Sequence, residues 1–219
     1  TSSDNRPGVQ RFFPATRPSI HADIAVFHRS LENTIMPTSF VRTSVRVSIR
    51  ALHATDEQAF IALARKSRAL HARWVSAPST SAQFAAYLRQ ASGRIASYRG
   101  YVVVRNADLA LAGVFNLSEI VHGVFRSAYL GYYGFAGAAR SGCMSEGLRL
   151  VLDTSFRDLG LHRVEANVQP GNVRSLEFLA RSGFTREGYS RRYLKIGGRW
   201  RDHVRHAMLA EDWRALRKR

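Results

Sequence analysis

The sequence predicts an α/β domain in which helices pack over a mixed central sheet. Three observations lead there. Segments with alternating apolar residues and segments with apolar residues at every third or fourth position succeed one another along the chain. The strand-like segments crowd the middle, with helical patterns between and around them. Hydrophobic residues make up 45% of the 219 positions, enough for one core of ordinary domain size.

The folded part is read as starting at VRVSIRAL. There Val45, Val47 and Ile49 alternate with Arg46, Ser48 and Arg50, the pattern of a half-buried strand. Thr55 offers a helix cap, with Gln58 three residues on, ahead of AFIALARKS. A second helix follows from Phe84, Tyr87, Leu88 and Ala91. Three strands come next: YRGYVVVR, then LALAGVFNL after a turn at 106–108, then FRSAYLGYY. A small-residue loop then opens a helix that places Leu148, Val151, Leu152, Ser155 and Leu159 on one face. HRVEANV is a fifth strand. NVRSLEFLARSG is a helix closed by Gly183. FTREGYSRRYLKI and WRDHVRHAML form a final hairpin around Gly197-Gly198.

Residues 1–44 have no clean period and read as an N-terminal extension, an arm or a short helix. The domain spans 45–213, and 214–219 is a basic tail. No apolar run approaches the roughly 18 residues of a membrane-spanning helix, so no membrane partner is expected. The single cysteine, Cys143, excludes an internal disulfide framework and fits a reducing, cytoplasmic setting. There is no cysteine cluster, and the histidines form no HExxH or HxH pair, so no metal site is expected. Net charge is +17, and twelve of the basic residues lie between Arg181 and Arg219 against four acidic ones. Such a field attracts anions: nucleic acid, a phosphorylated cofactor or an acidic protein.

The stretch GAARSGCMSEG, from Gly137 to Gly147, is a small-residue loop running into a helix. Main-chain N–H groups at such a helix start are suited to phosphate. With GVFNLSEIVHGVFRSAYLGYY before it, and NVRSLEFLARSGFTREGY and GGRWRDHV after it, the chain resembles the GNAT acetyltransferases, in particular the ribosomal-protein alanine N-acetyltransferases of the RimJ/RimL type. The resemblance runs from about Val45 to Trp213. It implies the GNAT fold, a mostly antiparallel mixed sheet splayed between the fourth and fifth strands of the count above and flanked by helices. It also implies acetyl-coenzyme A as cofactor.

By that resemblance the diphosphate cradle falls on Ala139, Arg140, Ser141, Gly142, Cys143 and Met144. Ala139 stands where the family has Gln or Arg, and Arg140 where this branch has glycine. Asn172 would steady the pantetheine arm, and Ser175 would protonate the departing thiolate. Tyr132, Tyr133 and Gly134 on the fourth strand would lie beside the acetyl group, with backbone N–H groups near Tyr133 and Gly134 holding the thioester oxygen. The position of a glutamate base in some relatives is Asn167, and that of a tyrosine acid is Leu179. Glu119 and Glu165 are the remaining candidate bases. Trp74 and Asp202 are candidates for the acceptor groove, Asp202 holding a cationic amine or only tying the last hairpin together with His203.

An absent base bears on the acceptor. An α-amine, with a pKa of about 8, is already neutral in roughly a tenth of molecules at pH 7, whereas a lysine amine needs about 4.6 kcal/mol to lose its proton there. The first reading is therefore acetyl transfer to the N-terminal alanine of a ribosomal or other protein. In that setting the basic surface makes a transient ribosomal RNA contact, and the enzyme is a monomer or homodimer. The alternatives are an acetyltransferase for a small amine, antibiotic or polyamine, and a non-catalytic GNAT-fold module bound to RNA or the ribosome.

Overall fold

The computed structural model describes residues 41–92, 96–138 and 141–218. Among them an eight-stranded sheet runs in the order β1-β2-β3-β4-β5-β6-β8-β7. The strands are β1 (Arg42–Thr43), β2 (Val47–Ala51), β3 (Arg99–Arg105), β4 (Leu111–Val121), β5 (Ser127–Gly134), β6 (Arg163–Val168), β7 (Thr185–Ile196) and β8 (Arg199–Leu209). Neighbours pair antiparallel except β5 and β6, which run parallel. The two-residue β1 was not expected; it makes the fourth and fifth strands of the sequence reading β5 and β6 here.

Helices α1 (Glu57–Lys66) and α3 (Ser81–Ala91) cover one face, and the four-residue α2 (Arg68–His71) lies between them in sequence. Phe60, Phe84 and Phe135 meet there, edge to face about Phe60. The other face carries α4 (Cys143–Asp153), α5 (Val173–Arg181) and α6 (Ala210–Leu216). Leu148, Val151, Leu152, Leu179 and Trp213 are buried there with Phe115, Val164 and Met208. The Trp213 indole N–H donates to Asp153 Oδ1 at 2.9 Å, fixing α6 on α4.

Several local expectations meet a different outcome. Val45 is exposed, and β2 is buried on both faces, because its polar residues are paired. Arg50 and Asp56 form a buried two-pronged ion pair with both N···O distances 2.7 Å, and Ser48 Oγ donates to Asn106 Oδ1 at 2.7 Å. Thr55 is not the cap. His53 precedes a 3-10 turn (Ala54–Asp56), and Asp56 accepts from the His53 N–H. The close of α5 is as expected: Phe184 N–H bonds Leu179 O and Gly183 N–H bonds Ala180 O, the Schellman pattern. Gly197 and Gly198 both have positive φ and join β7 to β8, the two-residue turn that matches strand twist. Past Asp153, α4 widens into one π turn, Thr154–Asp158.

Candidate functional site

The site begins with a failure of pairing. β5 and β6 are in register only from Ser127 to Tyr129, opposite Arg163 to Glu165. Beyond Tyr129 they diverge, while β5 stays paired with β4 as far as Gly134. Alternation along an antiparallel ladder then decides what faces the gap. Phe135 N–H bonds Ala112 O, so residues 135, 133 and 131 turn their main-chain groups to β4. The groups of Tyr132 and Gly134 turn to the gap, whereas the Tyr133 amide is directed at β4. The gap widens into a cleft of about 760 Å³ between β5, α5 and the segment after α2.

Tyr132, Ser175, Asn172 and Trp74 all line this cleft. Tyr132 is fixed by ring contacts with Phe115 and Phe178, at centroid distances of 5.8 and 5.1 Å. Its hydroxyl lies 2.6 Å from Ser175 Oγ. Burial pushes the Tyr132 phenol well above its ordinary pKa, so it keeps its proton. Either hydroxyl can be the donor; with Tyr132 donating, the Ser175 O–H is left to point elsewhere. Leu179, at the place of the relatives' tyrosine, is wholly buried in the core; the phenol comes from β5 instead of α5. Asn172 caps α5, its Oδ1 accepting from Ser175 N–H at 3.4 Å. Trp74 stacks under Arg73, whose guanidinium carbon is 5.7 Å from the ring centre, and abuts Gly171.

At the upper end, Gly142 caps α4 with a φ of 77°, a conformation suited to glycine. Ser141 Oγ accepts from Cys143 N–H at 3.3 Å and donates to Ala138 O at 2.8 Å. The first-turn amides of Met144 and Ser145 have no intrahelical acceptor by construction. The Met144 thioether lies over Gly113 and Gly134, where no side chain would fit on Gly113. Cys143 is buried, and its amide is held by Ser141 Oγ. Ala139 and Arg140 lie outside the described residues.

Three residues escaped the sequence reading. Arg46 lies against Gly142 and reaches Ser141 O at 3.4 Å, steadied by an ion pair with Glu146. His71 Nε2 donates to Gly134 O at 2.9 Å, and its Nδ1 is buried without a hydrogen-bond partner among the described residues. Arg174, exposed on α5, joins Arg73 on the cleft wall. No carboxylate is among the lining residues. An arginine in a strand pattern or a helical histidine gives no warning of such roles, because each depends on a contact between distant elements.

The remaining candidates lie elsewhere. Glu119 is exposed within β4, at the irregularity between Ser118 and Val121, with φ 49°. It lies beyond LALAGVFNL, where the sequence reading ended that strand. Glu165 is bonded by Arg163 Nε at 2.8 Å, and Arg163 also holds Glu187. Asn167, paired in register with Arg205, has a buried Oδ1 without a partner. Nearby the Tyr129 and Tyr193 hydroxyls are 3.1 Å apart, and that contact with burial pushes Tyr129 up to about 12. Asp202 accepts from the Tyr189 hydroxyl and from Arg192 N–H, so both oxygens tie the hairpin.

Comparison with known proteins places these features in context. The family described as "Acetyltransferase (GNAT) domain" matches residues 46–185. The "[Ribosomal protein uS5]-alanine N-acetyltransferase" of Escherichia coli is 43% identical over 103 residues, covering 47% of this chain and 53% of that protein. Mycobacterium smegmatis RimJ, solved in complex with CoA-disulfide, superposes with a TM-score of 0.70 at 26% identity, covering 78% of this chain and 88% of the other. Spermidine N-acetyltransferase of Vibrio cholerae, solved with CoA and spermine, gives a TM-score of 0.66 at 22% identity, covering 78% and 99%, a likeness of fold. The match spans between 53% and 59% of the length of the first curated relatives.

Proposed function

The chain belongs to the GNAT acetyltransferase family, and we propose that it transfers acetyl from acetyl-coenzyme A to a primary amine, the N-terminal α-amine of a protein beginning with alanine. One observation carries the reading. A cleft opened by the divergence of β5 and β6 holds a hydroxyl pair, Tyr132 and Ser175, between basic walls that contain no carboxylate.

The residues present fit the coenzyme. Arg73 and Arg174 are cations on a cleft wall with no carboxylate to compete with phosphate, and Arg46 lies beside Gly142, paired with Glu146. The amides of Gly142, Met144 and Ser145 would hold the diphosphate, that of Cys143 being taken by Ser141 Oγ, and the main chain of Tyr132 and the Gly134 N–H would pair with the pantetheine amides. Bound acetyl-coenzyme A would supply an activated thioester whose coenzyme A portion departs as a thiolate that requires a proton. Ser175 Oγ–H is the donor, oriented by the hydrogen bond it accepts from Tyr132.

The acceptor follows from the absence of a carboxylate among the described residues that line the cleft. Outside it, Asn167 offers a carbonyl oxygen but no base, and Glu165 is paired with Arg163. An α-amine needs little help to become neutral; a lysine or a polyamine needs far more. A polycation would also want free carboxylates, and Glu165 and Glu187 are both engaged by Arg163. The test is a panel of peptides beginning with Ala, Ser or Met, beside spermidine and an aminoglycoside, read by mass spectrometry. The alanine peptide should be acetylated at its α-amine at least tenfold faster than either small amine. Faster turnover of spermidine would overturn the acceptor assignment.

A further inference from the structure

The cleft accounts for little of the +17 charge. Much of the remainder is carried by the hairpin of β7 and β8. Arg191, Arg192, Lys195, Arg199 and Arg201 are exposed there, and β7 is the last strand of the sheet. Two large rings are exposed among them: Trp200 at 60% and Tyr189 at 50%. Lys195 is the direct cross-strand partner of Trp200, so a cation and an indole face stand side by side. The register shift between Ser190 and Leu194 pushes Arg191 and Arg192 out of the ladder beside Asp202. Asp202 is the only acid in the outer part of the hairpin, and its oxygens are occupied by Tyr189 and Arg192.

We propose that this hairpin is a docking surface for single-stranded RNA, with bases stacking on Trp200 and the phosphodiester chain following the five cations. Exposed cations around an exposed aromatic ring, Lys195 on the face of Trp200 and Arg199 and Arg201 alternating to the other face of the same strand, are what base stacking with phosphate neutralisation requires. A second copy of the chain would bring like charges together along the same edge. An acidic peptide would use the cations and leave the indole without a task. The inference does not depend on the acceptor assigned above, because its test contains no turnover.

The measurement is fluorescence anisotropy of a labelled 20-nucleotide oligouridylate with the full chain. Five phosphate contacts on a single strand give a salt slope near −3.5, so affinity should fall about a hundredfold between 50 and 200 mM salt. Trp200→Ala should weaken binding about tenfold at unchanged slope. The triple variant Lys195→Ser/Arg199→Ser/Arg201→Ser should flatten the slope by about two. Unaltered coenzyme A binding shows that each variant is folded. Equal binding of polyglutamate and oligouridylate, an RNA affinity indifferent to Trp200→Ala, or a hairpin found buried in a solution dimer would each overturn the proposal.

Discussion

Removing one hydroxyl from the cleft separates a proton-transfer unit from mere packing. In Tyr132→Phe the ring keeps its contacts with Phe115 and Phe178, and what is lost is the hydroxyl's bond of 2.6 Å to Ser175 Oγ with a long one of 3.4 Å to Ser175 O. A hydrogen bond of this kind has a net worth of about 1 kcal/mol. If its role is to aim the Ser175 proton, that worth appears in the barrier, and kcat falls about fivefold. KM for acetyl-coenzyme A should move little, because the coenzyme is held by main chain and arginines. Ser175→Ala should cost about a hundredfold in kcat, as loss of a general acid does. The double variant should be no slower than Ser175→Ala alone, since the phenol acts only through the serine. Steady-state kinetics with an alanine peptide reads all three. Multiplicative losses in the double variant, or a rise in KM with unchanged kcat, would refute the coupling.

Three further outcomes follow from the packing and charges. Gly113→Ala puts a Cβ 2.7 Å from the Tyr133 carbonyl oxygen and against the Met144 thioether; the main chain cannot yield as a side chain would, so thermal denaturation should show a loss of about 1–3 kcal/mol. Asp56→Asn leaves the Arg50 guanidinium buried beside a neutral partner and should cost about 3–5 kcal/mol by urea denaturation, while Arg50→Met with Asp56→Leu should recover most of that. Burial lowers the folded pKa of both His203 and His206 below the ordinary value. Between those lowered values and about pH 6.5 the unfolded chain binds more protons, so stability should fall as the pH drops through that window. His206→Gln should shallow the fall, and an unchanged slope would contradict the assignment.

Much of the fold was legible in the sequence because it is written in local terms. Period-two runs gave β3 and β6, the Gly-Gly turn gave the last hairpin, and Gly183 gave the close of α5. The failures share a cause: they turn on partners distant in the chain. Ser48 and Arg50 look like the wet face of β2, yet Asn106 and Asp56 satisfy them in the interior. Thr55 looks like a cap, but Asp56 turns back to the His53 amide. At the site, Ser175, Asn172 and Tyr132 were named from the family resemblance, whereas the bond between Tyr132 and Ser175 depends on how α5 lies across β5. Arg46 and His71 were missed for the same reason, each being placed by elements about a hundred and about sixty residues away. Asp202 was left with two readings, and the hydrogen bonds it makes within its own hairpin favour the one that ties the strands.

The central claim is that the gap between β5 and β6 receives acetyl-coenzyme A. Isothermal titration of the full chain with acetyl-coenzyme A tests it most directly. The account predicts saturable binding at one site per chain, weakened when Arg73 and Arg174 are replaced together by serine. Absence of heat up to high micromolar ligand, or binding indifferent to that replacement, would contradict it.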